Sequence, residues 1–174
     1  MIVASGADDG QIILSQAATG QKLQSFNAYQ SKTIPISGGV KFSKHSEFLA
    51  TGLADGIVKL WDLKRKIQLR TFRSNTPQTL LHSQVNTVTS PVTGISFNKE
   101  NSLIAASNAK GCISLYPMQD LIEQGKQATP TTNYVPEITQ IRSSDSCIND
   151  LQFSFLDRNL FTTGQDNSLV TLYD

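Results

Sequence analysis

Short runs in which apolar residues alternate with polar or small ones recur along the chain, and such alternation is typical of β-strands. Val58 and Leu60 show it in one run, and Ile113 and Leu115 show it in another. Each of these runs follows an Asp-Gly or Lys-Gly pair, which favours a tight hairpin turn because glycine readily adopts positive φ. The pattern therefore predicts antiparallel hairpins and an all-β fold.

The same pattern is repeated four times. Four ten-residue segments align without gaps, and their starts are 46, 55 and 57 residues apart. A period of this size is typical of blade architectures. In three units a further strand is predicted before the hairpin, and outer fourth strands are predicted at 22–26 and 67–72. The aligned segments are 6–15, 52–61, 107–116 and 164–173.

The sequence Leu60-Trp61-Asp62 ends the third predicted strand of the second unit, and small residues precede each aligned segment. In these features the chain resembles WD40 repeats over essentially its whole length. The resemblance implies a partial WD40 β-propeller of about four blades of four-stranded antiparallel sheet, with incomplete terminal blades. The blades are expected at about 1–30, 31–80, 88–145 and 146–174. Structural roles in them are expected for Asp55, Gly56, Trp61, Asp62, Tyr116 and Tyr173.

The chain also departs from the WD40 pattern. The family's usual histidine before the first strand of a blade has no counterpart near Lys32 or Thr87, and its turn aspartate is replaced by Lys110 in the third unit. The resemblance therefore implies that the family's buried histidine–serine/threonine–tryptophan–aspartate network is absent or incomplete. Because the family implies about seven blades, we expect the chain to be part of a longer protein whose other blades cover the terminal sheet faces.

Composition and motifs argue against several function classes. Fifteen Lys and Arg against 14 Asp and Glu give a net charge of +1, which disfavours a polybasic arm or an acidic tail. No apolar run approaches the roughly 20 residues of a membrane helix, and the start of the chain lacks a signal-peptide pattern. His45, His82, Cys112 and Cys147 do not have zinc-ligand spacing. Without a phosphate-binding glycine loop or a Gly-x-Ser-x-Gly motif, we expect no enzyme, no cofactor and no metal site.

One basic cluster is prominent. Lys64, Arg65 and Lys66 fall in a predicted hairpin, Arg70 lies on the outer strand and Arg73 follows. If these side chains are exposed, they would attract an acidic protein surface or a nucleic-acid backbone in a salt-sensitive manner. A solvated turn without a partner is the alternative. Nucleic acid is the less favoured partner because no aromatic residues are interleaved with the basic ones.

Three short segments, 2–14, 55–62 and 90–97, also resemble the WD40 proteins that target the γ-tubulin complex, of the neural precursor cell expressed, developmentally down-regulated protein one type. This resemblance implies a scaffold with γ-tubulin-complex, centriolar or basal-body partners. It also implies a cytoplasmic location at the centrosome, basal body or spindle. A WD40 adaptor or substrate receptor of a ubiquitin ligase or an axonemal complex is the alternative. The inserted segment at 117–147 has no obvious equivalent in that branch.

Overall fold

The computed structural model describes residues 1–30, 33–73, 90–119, 139–142, 146–154, 160–164 and 170–173. In these residues the chain forms 14 strands, which are arranged in four antiparallel sheets. The segments 74–89 and 120–138, including most of the predicted insertion, lie outside the described residues.

Each sheet is a meander whose strands pair in the order in which they follow along the chain. The first sheet contains β1 (Ile2–Gly6), β2 (Gln11–Gln16) and β3 (Lys22–Asn27). The second contains β4 (Ile36–Phe42), β5 (Phe48–Leu53), β6 (Ile57–Asp62) and β7 (Ile67–Arg73). The third contains β8 (Val92–Phe97), β9 (Leu103–Asn108), β10 (Cys112–Pro117) and β11 (Thr139–Arg142). The fourth contains β12 (Ile148–Phe153), β13 (Leu160–Gly164) and β14 (Val170–Tyr173).

Two four-stranded sheets between two three-stranded ones confirm the predicted fold, an all-β partial propeller with incomplete terminal blades. Apolar clusters lie between successive sheets. One joins the first sheet to the second through Ile12, Leu14 and Trp61. Because each sheet buries one face against its neighbour, the clusters fix the sheets relative to one another. The cluster between the second and third sheets contains Ala50, Val58, Leu60, Leu69, Phe72, Val92, Ile95, Ile104, Ala106, Tyr116 and Met118.

The first strands of the second and third sheets approach each other closely. The Ser37 hydroxyl donates a hydrogen bond to the Val92 carbonyl at 2.6 Å. A Cβ atom added at Gly52 would lie 2.5 Å from a Val92 methyl carbon and 3.0 Å from the Cα of Gly38. The absence of a side chain at Gly52 therefore sets how closely these two sheets pack.

The terminal sheets expose apolar residues, as the sequence predicts. In the first sheet Ile2 is 51% exposed and Val3 is 48% exposed. In the fourth sheet Val170 is 67% exposed and Leu172 is 53% exposed. Each of these pairs belongs to a strand that has a partner on one side only.

Candidate protein-interaction site

The turns of the meanders form two opposite faces. One face carries the turns β1–β2, β5–β6 and β9–β10 together with the connections that lead into the next sheet; we call it the aspartate face. The Ile34 carbonyl lies against Gly10 there, and the Ser90 carbonyl lies against Gly56. The other face carries the turns β2–β3, β4–β5, β6–β7 and β8–β9; we call it the basic face.

The tight turns of the aspartate face have the predicted glycine geometry. Gly10, Gly56 and Gly111 have φ values of 79°, 78° and 76°. In the first turn Asp9 Oδ1 accepts a hydrogen bond from the backbone N–H two residues later at 2.8 Å. Asp55 Oδ1 makes the equivalent contact in the second turn at 3.3 Å. These carboxylates satisfy turn N–H groups that would otherwise lack a partner.

Asn108 replaces the missing turn aspartate in the third sheet. Lys110 stands at the aspartate position, and Asn108 Oδ1 accepts hydrogen bonds from the backbone N–H of Lys110 at 3.0 Å and of Cys112 at 3.1 Å. The Cys112 N–H aligns with the group that Asp55 caps in the second sheet. Alignment by turn position missed this role, although an asparagine just before a Lys-Gly turn is a recognisable sequence signal.

Tyr29 connects the first sheet to the turn of the second. Its hydroxyl donates a hydrogen bond to Asp55 Oδ2 at 2.7 Å. Lys59 is only 5% exposed, and its ammonium lies 4.0 Å from the centre of the Tyr29 ring and donates to Gln68 Oε1 at 2.8 Å. Asp55, for which the WD40 resemblance implies a histidine partner, is therefore hydrogen-bonded to a tyrosine. The repeat pattern in the sequence gives no sign of a role for Tyr29 or Lys59.

Trp61 contacts both a neighbouring strand of its own sheet and the preceding sheet. Its ring is 4% exposed, and Nε1 donates to Thr51 Oγ1 at 3.2 Å. Phe26, on the outer strand of the preceding sheet, packs against it with ring centroids 5.0 Å apart. Phe72 and Tyr116 repeat this contact one sheet later at 4.3 Å. The tryptophan–threonine pair that the WD40 resemblance implies is thus present among the described residues. Tyr173 packs in the corresponding cluster between the third and fourth sheets.

Removing only the tyrosine hydroxyl tests the contact between the first two sheets. We expect Tyr29→Phe to lower the free energy of unfolding by about 1 kcal/mol, because the half-buried Asp55 loses a donor while the aromatic ring remains beneath Lys59. Urea unfolding of the variant and the wild type would measure the difference. Thr19→Ala is the control, because it also removes a hydroxyl, one that is exposed, donates to Gln16 Oε1 at 3.1 Å and accepts from the Gln21 N–H at 3.3 Å. Equal stability of Tyr29→Phe and wild type would contradict the role given to this hydrogen bond.

Three members of the predicted basic cluster lie together on the basic face. Lys64, Arg65 and Lys66 are exposed in the β6–β7 turn. The backbone N–H of Arg65 donates to Asp62 Oδ1 at 2.8 Å, and Lys66 has a φ of 60°. The turn backbone is therefore fixed while the basic side chains extend into solvent.

Arg70 does not lie on this surface. It is 7% exposed, contrary to the expectation of an exposed side chain on the outer strand. The physical reason is the register, because Arg70 pairs with Leu60, and paired residues share the sheet face that packs against the third sheet. Burial lowers the pKa of the Arg70 guanidinium from its ordinary value by desolvation. The side chain of Arg73 lies outside the described residues.

Other candidate chemistry is sparse in the described residues. No group of three or more His, Cys, Asp or Glu side chains able to hold a metal ion occurs among them. Cys112 is buried and Cys147 is half-buried, and neither forms a disulfide. His45 is exposed, whereas His82 lies outside the described residues. Within the same residues no helix is long and apolar enough to cross a membrane.

Comparison with known proteins agrees with this architecture. Residues 20–62 match the family of the WD domain, G-beta repeat. The COMPASS component SWD3 of Saccharomyces cerevisiae is 35% identical over 77 residues, which is 41% of this chain. The match spans about a quarter (24%) of the length of that relative. Residues 20–62 therefore match a WD repeat, and the four sheets have the fold of a partial WD40 β-propeller.

Proposed function

We propose that this chain is a non-enzymatic scaffold that holds protein partners together in a multi-subunit assembly. The observation that carries the proposal is the WD-repeat match at 20–62. This stretch contains the Phe26–Trp61 contact and the Tyr29–Asp55 hydrogen bond, so it includes the contacts that hold the second sheet against the first. Fold alone does not define function, but a rigid array of sheets with exposed turns suits the display of several contact points.

Rigidity is the physical basis of the proposed activity. An apolar cluster lies between each pair of successive sheets and packs them together, and most side chains in these clusters are less than a tenth exposed. The turns on both faces therefore keep fixed distances from one another when a partner binds. Since little ordering entropy is lost, several weak contacts can add up to firm binding.

Two assemblies are proposed as candidates. Similarity to the COMPASS component SWD3 supports a subunit of a COMPASS-like assembly. The short resemblances at 2–14, 55–62 and 90–97 support a microtubule-organising assembly with γ-tubulin-complex, centriolar or basal-body partners, and hence a cytoskeletal location. An adaptor of a ubiquitin ligase or an axonemal complex is a further alternative. The blade boundaries given above also stay a prediction.

Affinity purification of the full-length protein from cells, followed by mass spectrometry, would distinguish these candidates. We expect a stoichiometric set of protein partners to be recovered at physiological salt. Enrichment of COMPASS subunits would support the first candidate, and enrichment of γ-tubulin would support the second. Trp61→Ala, which should disrupt the second sheet, is expected to lose these partners. Recovery of no partner by the wild type would contradict a scaffold role.

A further inference from the structure

Positive charge is concentrated on the basic face. In its described turns, six exposed cations stand against three carboxylates, an excess of three positive charges. The carboxylates are Glu47, Asp62 and Glu100. The cations are Lys22, Lys44, Lys64, Arg65, Lys66 and Lys99.

The described side chains in the turns of the aspartate face have the opposite net charge. Its described turns and connections carry Asp8, Asp9 and Asp55 against the single cation Lys110, an excess of two negative charges. The chain as a whole has a net charge of only +1. Among the described side chains of the turns, charge is therefore separated between the two opposite faces, and such a separation orients an approaching charged partner.

Backbone hydrogen bonds hold the turns of the basic face next to one another. The Leu63 N–H donates to the Glu47 carbonyl at 3.0 Å, which joins two turns of the second sheet. The Lys44 N–H donates to Asn101 Oδ1 at 3.0 Å, which joins the second sheet to the third. In the second of these hydrogen bonds Lys44 takes part through its backbone N–H and not through its side chain. The exposed side chains of Lys44, Lys64, Arg65 and Lys66 therefore lie on turns whose relative positions are fixed.

We propose that the basic face docks an acidic segment of a protein partner. This inference rests on the scaffold function proposed above and names the surface and the partner chemistry. The described turns at 17–22, 43–47, 62–66 and 98–102 contain no Phe, Tyr or Trp ring on which a nucleic-acid base would stack, and His45 is the one imidazole among them. Glu47 and Asp62 lie among the cations and would repel a continuous phosphate backbone, whereas a polypeptide can place carboxylates and neutral residues in turn.

The test uses the full-length protein and a fluorescein-labelled peptide in which Glu alternates with Ser, with binding followed by fluorescence anisotropy. The variant combines Lys44→Ser, Lys64→Ser, Arg65→Ser and Lys66→Asn, the last because asparagine tolerates positive φ. We expect it to bind the peptide about tenfold more weakly than the wild type. The loss should shrink between about 0.01 M and about 0.15 M salt, as the screening length falls from about 30 Å to about 8 Å.

Lys110→Ser removes an exposed cation from the aspartate face and is the matched control, expected to bind like the wild type. Melting curves would show that each variant is folded. No peptide binding by the wild type, equal loss in the control, or tighter binding of a single-stranded oligo-deoxythymidine than of the peptide would overturn the inference. Recovery of the same cellular partners by wild type and by the four-residue variant would also overturn it, while leaving the scaffold function in place.

Discussion

Trp61→Ala is expected to lower the free energy of unfolding by about 3–5 kcal/mol, the range found when large aromatic core residues are truncated. The indole is 4% exposed, so the substitution leaves a cavity between the first two sheets. It also removes the ring against which Phe26 packs and leaves the Thr51 hydroxyl without its indole donor. Chemical denaturation monitored by circular dichroism would measure the change.

Leu23→Ala provides the control for this experiment. Leu23 lies on the first sheet and is 50% exposed, so its truncation should change stability by less than about 0.5 kcal/mol. Comparable losses in the two variants would show that burial does not distinguish these positions. Wild-type stability of Trp61→Ala would contradict the assignment of Trp61 to the core between the first two sheets.

Gly52→Ala is expected to be the second most damaging of the proposed substitutions, with a net loss of about 2 kcal/mol. The added methyl would lie 2.5 Å from Val92 Cγ1 and 3.0 Å from the Cα of Gly38, and the Gly38 contact is to backbone that has little freedom to move. Replacing glycine lowers the conformational entropy of the unfolded chain, which by itself would raise the free energy of unfolding by about 0.5–1 kcal/mol. This gain is smaller than the cost of overpacking. Thermal and urea unfolding would give the net value.

Combining Gly52→Ala with Val92→Ala tests the cause of this loss. The second substitution removes the methyl carbon nearest to the new side chain, so the double variant should lose less stability than the two single variants added together. Strict additivity would show that the destabilisation does not arise from this contact. The remaining approach to Gly38 means that recovery should be partial.

Much of the fold could be predicted because strand alternation and turn glycines act locally. Val58 and Leu60 alternate with their neighbours, and Gly56 fixes the hairpin before them, so hairpin and strands follow from a few adjacent residues. The expected outer strands at 22–26 and 67–72 correspond to β3 and β7 for the same reason. In β7, Leu69 and Phe72 pack in the cluster between the second and third sheets.

The burial of Arg70 could not be predicted in this way. A register irregularity between Leu60 and Trp61 shifts the pairing of β7, so counting alternate residues from Ile67 gives the wrong exposure. Tyr29 and Asn108 were missed for a different reason. Tyr29 stands in for the histidine expected beside Asp55, and Asn108 stands in for the aspartate expected in the turn. Both replacements become visible only when the hydrogen-bond distances are known.

The matched repeat at 20–62 does not coincide with one sheet, since it joins β3 of the first sheet to β4, β5 and β6 of the second. Both members of the Phe26–Trp61 contact therefore belong to a single unit, and the Phe72–Tyr116 contact falls in the same relative place one unit later. Each of these two units thus contains both aromatic residues of the contact between its own sheet and the preceding one. During evolution, duplication or deletion of a whole unit would change the number of blades and would leave the aromatic contacts between the remaining sheets intact.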